Sequence, residues 1–119
     1  MKIAFSSSGD SLESPFDSRF GRCSKFIIYD DSSDSFDVVD NTQNLNAVQG
    51  AGIQAAQNVV KAGAVAVVSG HCGPKAFKAL NVAGLKVYNC EFRTVKEAVS
   101  AFKKGELKEA DSADVDGHW

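Results

Sequence analysis

Two soft ligands, His71 and Cys72, stand side by side in the stretch "SGHCGPKAF" (69–77). They lie between Gly70 and Gly73, after the apolar run "AVAVV" and just before Pro74. A small-residue turn at a strand end lets a ligand approach the backbone. An imidazole and a thiolate together suit soft metals and metal–sulfur centres. Adjacent residues rarely close on one ion as a CxxC pair does, so a zinc site is not indicated. A second thiol, Cys23, ends the polar loop stretch "DSRFGRC" (17–23). Arg22 beside it is expected to lower the thiol's pKa. Arg19, Gly21 and Arg22 of the same stretch form a candidate anion clamp, with solvated surface arginines as the plainer reading. The third thiol, Cys90, follows an apolar strand, where a lone cysteine usually serves packing. The serine run "SSSGDS" (6–11) reads as a flexible loop or as anion-binding turns.

These residues need elements to position them. "KIAFS" (2–6), "KFIIYD" (25–30) and "FDVVDN" (36–41) read as strands, and the polar "DSSDS" (31–35) makes the last two a hairpin. The 7–24 link shows no periodicity, and a loop of that length is usually functional or disordered. "GAGIQAAQNVVKAG" (50–63) predicts a helix with Ile53, Ala56 and Val60 on one face, closed by Gly63. "AVAVVSG" (64–70) is a buried parallel strand in pattern. "GPKAFKALNVAG" (73–84) predicts a helix opened by Pro74 and stopped by Gly84. "LKVYN" (85–89) is a fifth strand. "TVKEAVSAFKKG" (94–105) predicts a helix with a Thr94/Glu97 capping box.

The order is β-β-β-α-β-α-β-α. Right-handed crossovers then give a mixed α/β sheet of order 3-2-1-4-5 with helices on its faces. In that topology Cys23, His71, Cys72 and Cys90 all fall at the carboxyl edge of the parallel strands. The 7–24 loop, the 41–49 loop and the helix starts at Gly50, Gly73 and Thr94 share that edge. Open α/β sheets bind ligands there, and free N–H groups at helix starts favour anions.

Composition narrows the classes. A chain of 119 residues with 44% hydrophobic content reads as one domain with its own core. Residues 1–105 make that domain, and 106–119 read as an acidic, flexible tail ending in His118 and Trp119. Net charge is −2 and no basic stripe is visible, which argues against nucleic acid as the partner. Neither a signal peptide nor a membrane span is expected. Three cysteines make no disulfide framework, so a cytoplasmic location is expected. There is no GxGxxG, no Walker lysine loop and no HExxH.

Three stretches, "SPFDSRFGRCSKFIIYD" (14–30), "GAGIQAA" (50–56) and "GHCGPKAFKALNVAGLKVY" (70–88), stand in the order of a known family. Over residues 1–105 the chain resembles the dinitrogenase iron–molybdenum cofactor biosynthesis family, which includes stand-alone cofactor carriers and orange protein-like domains. The resemblance implies a ribonuclease H-like fold. It implies binding of an anionic metal–sulfur cluster, of Fe–S, Fe–Mo or Mo–Cu type, not turnover of a substrate. Carried over by position, Arg19, Gly21, Arg22 and Cys23 and the turn His71, Cys72 and Gly73 would meet the cluster. Cys72, His71 and Cys23 would be its metal ligands. A cluster donor and a cluster recipient would be the partners, with the chain a monomer or weak homo-oligomer.

Two other classes compete with a carrier. A nuclease on such a fold needs carboxylates around divalent metal, one of them on the first strand, and "KIAFS" and "AVAVV" carry none. A small interaction module without cofactor would use the tail as its docking element.

Overall fold

The computed structural model describes residues 1–42 and 50–110. The 43–49 part of the 41–49 loop and the tail from 111 on, with His118 and Trp119, lie outside the described residues. Five strands form one sheet: β1 (Lys2–Ser7), β2 (Lys25–Asp30), β3 (Ser35–Asp40), β4 (Ala66–Ser69) and β5 (Lys86–Asn89). Their order is β3-β2-β1-β4-β5, as the crossover argument requires. β1 is antiparallel to β2 and parallel to β4, and β5 is parallel to β4. Three helices complete the chain: α1 (Ala51–Lys61), α2 (Pro74–Val82) and α3 (Val95–Lys103).

The sheet divides the core in two because alternate strand residues face opposite layers. On one face Ala4, Phe26, Ile28, Val67 and Val87 pack against the inner residues of α1 and α2. On the other, Ile3, Phe5, Ile27, Tyr29 and Val68 pack against Val95, Ala98 and Val99 of α3. Helices therefore cover both faces, two on one and one on the other. β1, β2 and β4 are buried along most of their length, whereas β3 is largely exposed at the sheet edge.

α1 buries a different stripe from the one its large residues suggest. Ala51, Gly52, Ala55, Ala56 and Val59 face inward, and Ile53 and Val60 stay 39% and 40% exposed. The small face is dictated by a close approach. The backbone of Gly21 lies so near the helix that a Cβ there would stand 3.0 Å from Gly52 Cα and N.

The 7–24 link is an ordered, packed segment rather than a loose loop. Phe16, Phe20 and Cys23 are its buried anchors, and the two phenylalanines are matched by Phe92 and Phe26 in ring contacts. Its backbone bonds to strand ends and helix starts: Asp17 N–H to Ser6 O, Phe16 N–H to Arg93 O, and Val95 and Lys96 N–H to Ser14 and Leu12 O. The first residues of the acidic tail are also bound. Leu107 packs on the α3 layer, Glu109 bridges Tyr88, and Ala110 N–H donates to Val87 O at 2.7 Å. Among the described residues no helix is long and apolar enough to cross a membrane.

A close crossing against backbone is at Gly70, where a Cβ would lie 2.6 Å from Ser18 Cβ and 2.7 Å from Ser18 Cα. Because backbone and not a mobile side chain is struck, Gly70→Ala should cost about 1–3 kcal/mol and lower Tm by several degrees. Thermal melting followed by circular dichroism reads this directly; an unchanged Tm would mean that the loop yields at no cost.

Candidate functional site

The carboxyl edge is assembled around hydroxyl groups that strand patterning hides. Ser6, Ser7 and Ser69 are fully buried at the ends of β1 and β4. Ser6 Oγ donates to Asp17 O at 2.6 Å and bonds Ser69 Oγ at 2.9 Å, and Ser69 Oγ reaches Ser18 O at 3.5 Å. Buried hydroxyls need partners, and these supply one another and the loop backbone. The loop is thereby laid across the strand ends. There it pairs with the turn after β4 through a parallel bridge between Arg19 and His71. His71 N–H donates to Ser18 O, and Phe20 N–H donates to His71 O at 3.1 Å. The two stretches singled out by sequence, "FGRC" and "GHCGP", are thus neighbours joined by backbone bonds.

Helix starts at this edge fall into two kinds. α3 is closed by a complete capping box: Thr94 Oγ1 accepts from Glu97 N–H, and Glu97 Oε1 accepts from Thr94 N–H. α1 and α2 begin at Gly50 and Gly73, which bring no capping side chain of their own, and neither helix has an acidic residue in its first turn. Gly50 has φ +80°, a conformation that suits glycine. Uncapped first-turn N–H groups with the positive end of the helix dipole are a place for an anion.

Charged groups surround these starts. Asp17 holds the Arg19 guanidinium with its two oxygens, 3.3 Å from Nε and 3.2 Å from Nη2, and Arg19 stays 44% exposed. That carboxylate raises the Arg19 pKa further. Arg22 is half-buried at the same loop. His71, 35% exposed, has Nε2 3.4 Å from Glu91 Oε1.

The thiols are placed otherwise. Cys23 and Cys72 have no exposed surface and belong to the core cluster shared with α1 and α2. Burial pushes the Cys23 thiol well above the ordinary thiol range, and the nearby Asp17 carboxylate pushes it further. The lowering expected from Arg22 is not found, because desolvation of the sealed thiolate sets the direction of the shift. Cys23 Sγ lies 3.4 Å from Phe20 O, and Asn41 Nδ2 donates to Cys23 O at 2.8 Å. Asn41, fully buried and accepting from Asn58 Nδ2 of α1, is the residue that sequence reasoning missed. Its only sequence signal is an asparagine closing a strand. Cys90 is half-buried, its thiol pushed up to about 12 by burial first and by Glu91 second. Among the described residues no three His, Cys, Asp or Glu side chains converge as a metal-ion site.

The three cysteines are free, and two of them are sealed. Thiol-reactive disulfide reagents at pH 8 should therefore label Cys23 and Cys72 of the native protein about a hundredfold more slowly than in the unfolded chain. Stability should also fall as pH rises above 9.0, the ordinary thiol value, because the unfolded chain loses the proton that native Cys23 keeps. Urea unfolding at successive pH values measures this, and a flat profile above pH 9 would contradict it.

Comparison with known proteins agrees with this fold. The chain is 38% identical to the orange protein of Desulfovibrio gigas, whose apo structure superposes with TM-score 0.92 over 96% of each chain. A Thermotoga protein given a NifB designation and placed in the DUF35 family is 36% identical, with TM-score 0.82 over 96% of this chain and 98% of that one. An uncharacterised protein of Methanocaldococcus jannaschii is 30% identical over 111 residues, 91% of this chain and 90% of its own length. Residues 1–105 match the model of the family described as dinitrogenase iron–molybdenum cofactor, and the chain belongs to that family.

Proposed function

We propose that the chain is a non-catalytic binding or carrier protein whose cargo is an anionic metal–sulfur cluster, of Fe–S, Fe–Mo or Mo–Cu type. The observation that carries this reading is the Arg19–His71 bridge, which sets an arginine loop and a histidine turn beside two helices that start at glycine. Family membership supports a cofactor-related role, and the geometry favours a compact anion. The ribonuclease H-like class and a cytoplasmic setting belong to the same reading.

The donor set decides how the cargo is held. Sealed thiols are poor first contacts, because a thiolate must form to ligate a metal. Arg19, Arg22, His71 and the backbone of Gly21 and Gly73 therefore hold the anion by charge and hydrogen bonds. His71 is the accessible soft ligand. Cys72 and Cys23 join as metal ligands only if the 18–23 segment lifts. Asp17 tempers the site, since it already occupies the Arg19 fork. A nuclease reading has little support: β1 carries no carboxylate to anchor two-metal chemistry. Donor and recipient proteins are the expected partners.

Oxygen-free titration with tetrathiomolybdate, with and without copper(I), followed by visible absorption, tests the reading. A coloured stoichiometric complex should form and weaken with salt. Arg22→Ala and His71→Ala should each loosen it about tenfold, the size of one charge-assisted contact. Asp17→Asn should tighten it severalfold by releasing Arg19. Cys72→Ser should leave affinity unchanged if the cargo is held from outside, and should abolish colour if thiolates ligate. Failure of any coloured complex to form would sink the carrier reading.

A further inference from the structure

The layer opposite α1 and α2 is incompletely covered. Five strands spaced by about 4.8 Å present a sheet about 19 Å across, and one helix covers about 10 Å of it. α3 lies over the β1 and β5 side, where Phe102 meets Phe5 and Tyr88 edge to face. Near β2 the covering is the loop residues Leu12 and Phe16. Over β3 the covering is partial among the described residues: Phe36 and Val38 are 38% and 40% exposed. They stand opposite Tyr29 and Ile27 in the ladder, so all four share the α3 face.

Beside this floor, between α3 and Tyr29 of β2, lies a cavity of about 460 Å³. Leu12, Tyr29 and Val99 are its apolar lining, and Lys96, Lys103 and Lys104 stand along its α3 wall. Its one carboxylate, Asp34, accepts from Tyr29 Oη and pairs with Lys103 at 3.4 Å. Three ammonium groups thus face one carboxylate, on a chain whose net charge is −2. Lys96 and Lys103 are seven residues apart on α3, two turns or about 10.5 Å.

We propose that this slot is a docking site for an amphipathic helix of a partner protein. Its apolar stripe would lie on Phe36, Val38, Tyr29 and Val99, and acidic residues two turns apart would meet Lys96 and Lys103–Lys104. The site is independent of the carrier reading, because it lies on the α3 face and uses none of the edge residues. The apolar groove between α1 and α2, lined by Ile53, Val60, Ala79 and Ala83, has one lysine and nothing that selects an occupant. It serves as the control surface.

The probe is a helical peptide of about fourteen residues, four turns long, with leucines at helical spacing and glutamates along one flank. Its twin carries lysines in place of the glutamates. Amide shifts of the full-length, nitrogen-labelled protein are followed by NMR. The acidic peptide should move residues 29, 36, 38 and 96–104, and binding should weaken with salt. Lys96→Glu with Lys104→Glu should cost at least about tenfold in affinity. Val60→Ser on the control groove should leave it unchanged, and the melting temperature of each variant checks its fold. Equal binding of both peptides, shifts on α1 and α2, or no binding would overturn the proposal. So would a dimer in sedimentation velocity that Phe36→Ser with Val38→Ser dissolves, because a second copy would then fill the slot.

Discussion

The bond between His71 N–H and Ser18 O is the constraint on which the rest of the carboxyl edge depends. It ties the segment before β2 to the turn after β4, elements 53 positions apart in the chain. Two further features make it possible. Gly70 has no side chain to hold the segments apart, and Ser6 and Ser69 supply buried hydroxyls that fix the loop's carbonyls. Remove the bridge and Phe20 and Cys23 lose their seat in the core, Gly21 leaves α1, and the arginines lose their position beside the helix starts. Local packing and site geometry are therefore one structure.

The helix starts at this edge divide the labour. α3 spends its N-terminal N–H groups on Thr94, Leu12 and Ser14, which anchors the loop. α1 and α2 start at glycines, which bring no capping side chain of their own. The same sheet edge so contains one helix that builds the site and two that face it. Asn41 links the two roles, since it bonds the loop at Cys23 and the middle of α1 at Asn58. A ligand that lifts the loop must break or stretch that link, and α1 will register the change.

Much of this was legible in the sequence. β-branched runs separated by glycine-stopped helices dictate the strand order, and the crossover rule then brings His71, Cys72 and the "FGRC" loop to one edge. Three features were not legible. The buried stripe of α1 is made of alanine and glycine, which give little hydropathy contrast against Ile53 and Val60. The order of the 7–24 segment comes from bonds to Ser69, His71, Arg93 and the α3 start, none of which is local. The thiols of Cys23 and Cys72 were ambiguous because cysteine is both a small hydrophobe and a soft ligand. Only three-dimensional burial separates those roles.

The pairing of Glu109 and Ala110 with β5 has a consequence for how many neighbours the sheet can recruit. A sheet with two bare margins can add strands at both and grow without limit. Here one margin already carries a strand-like segment, and β3 is the long margin left open among the described residues. A molecule with one such margin has a valency of one. It can join a single partner or a single copy edge to edge and then stops, so a largely exposed outer strand is tolerated without a route to open-ended fibres.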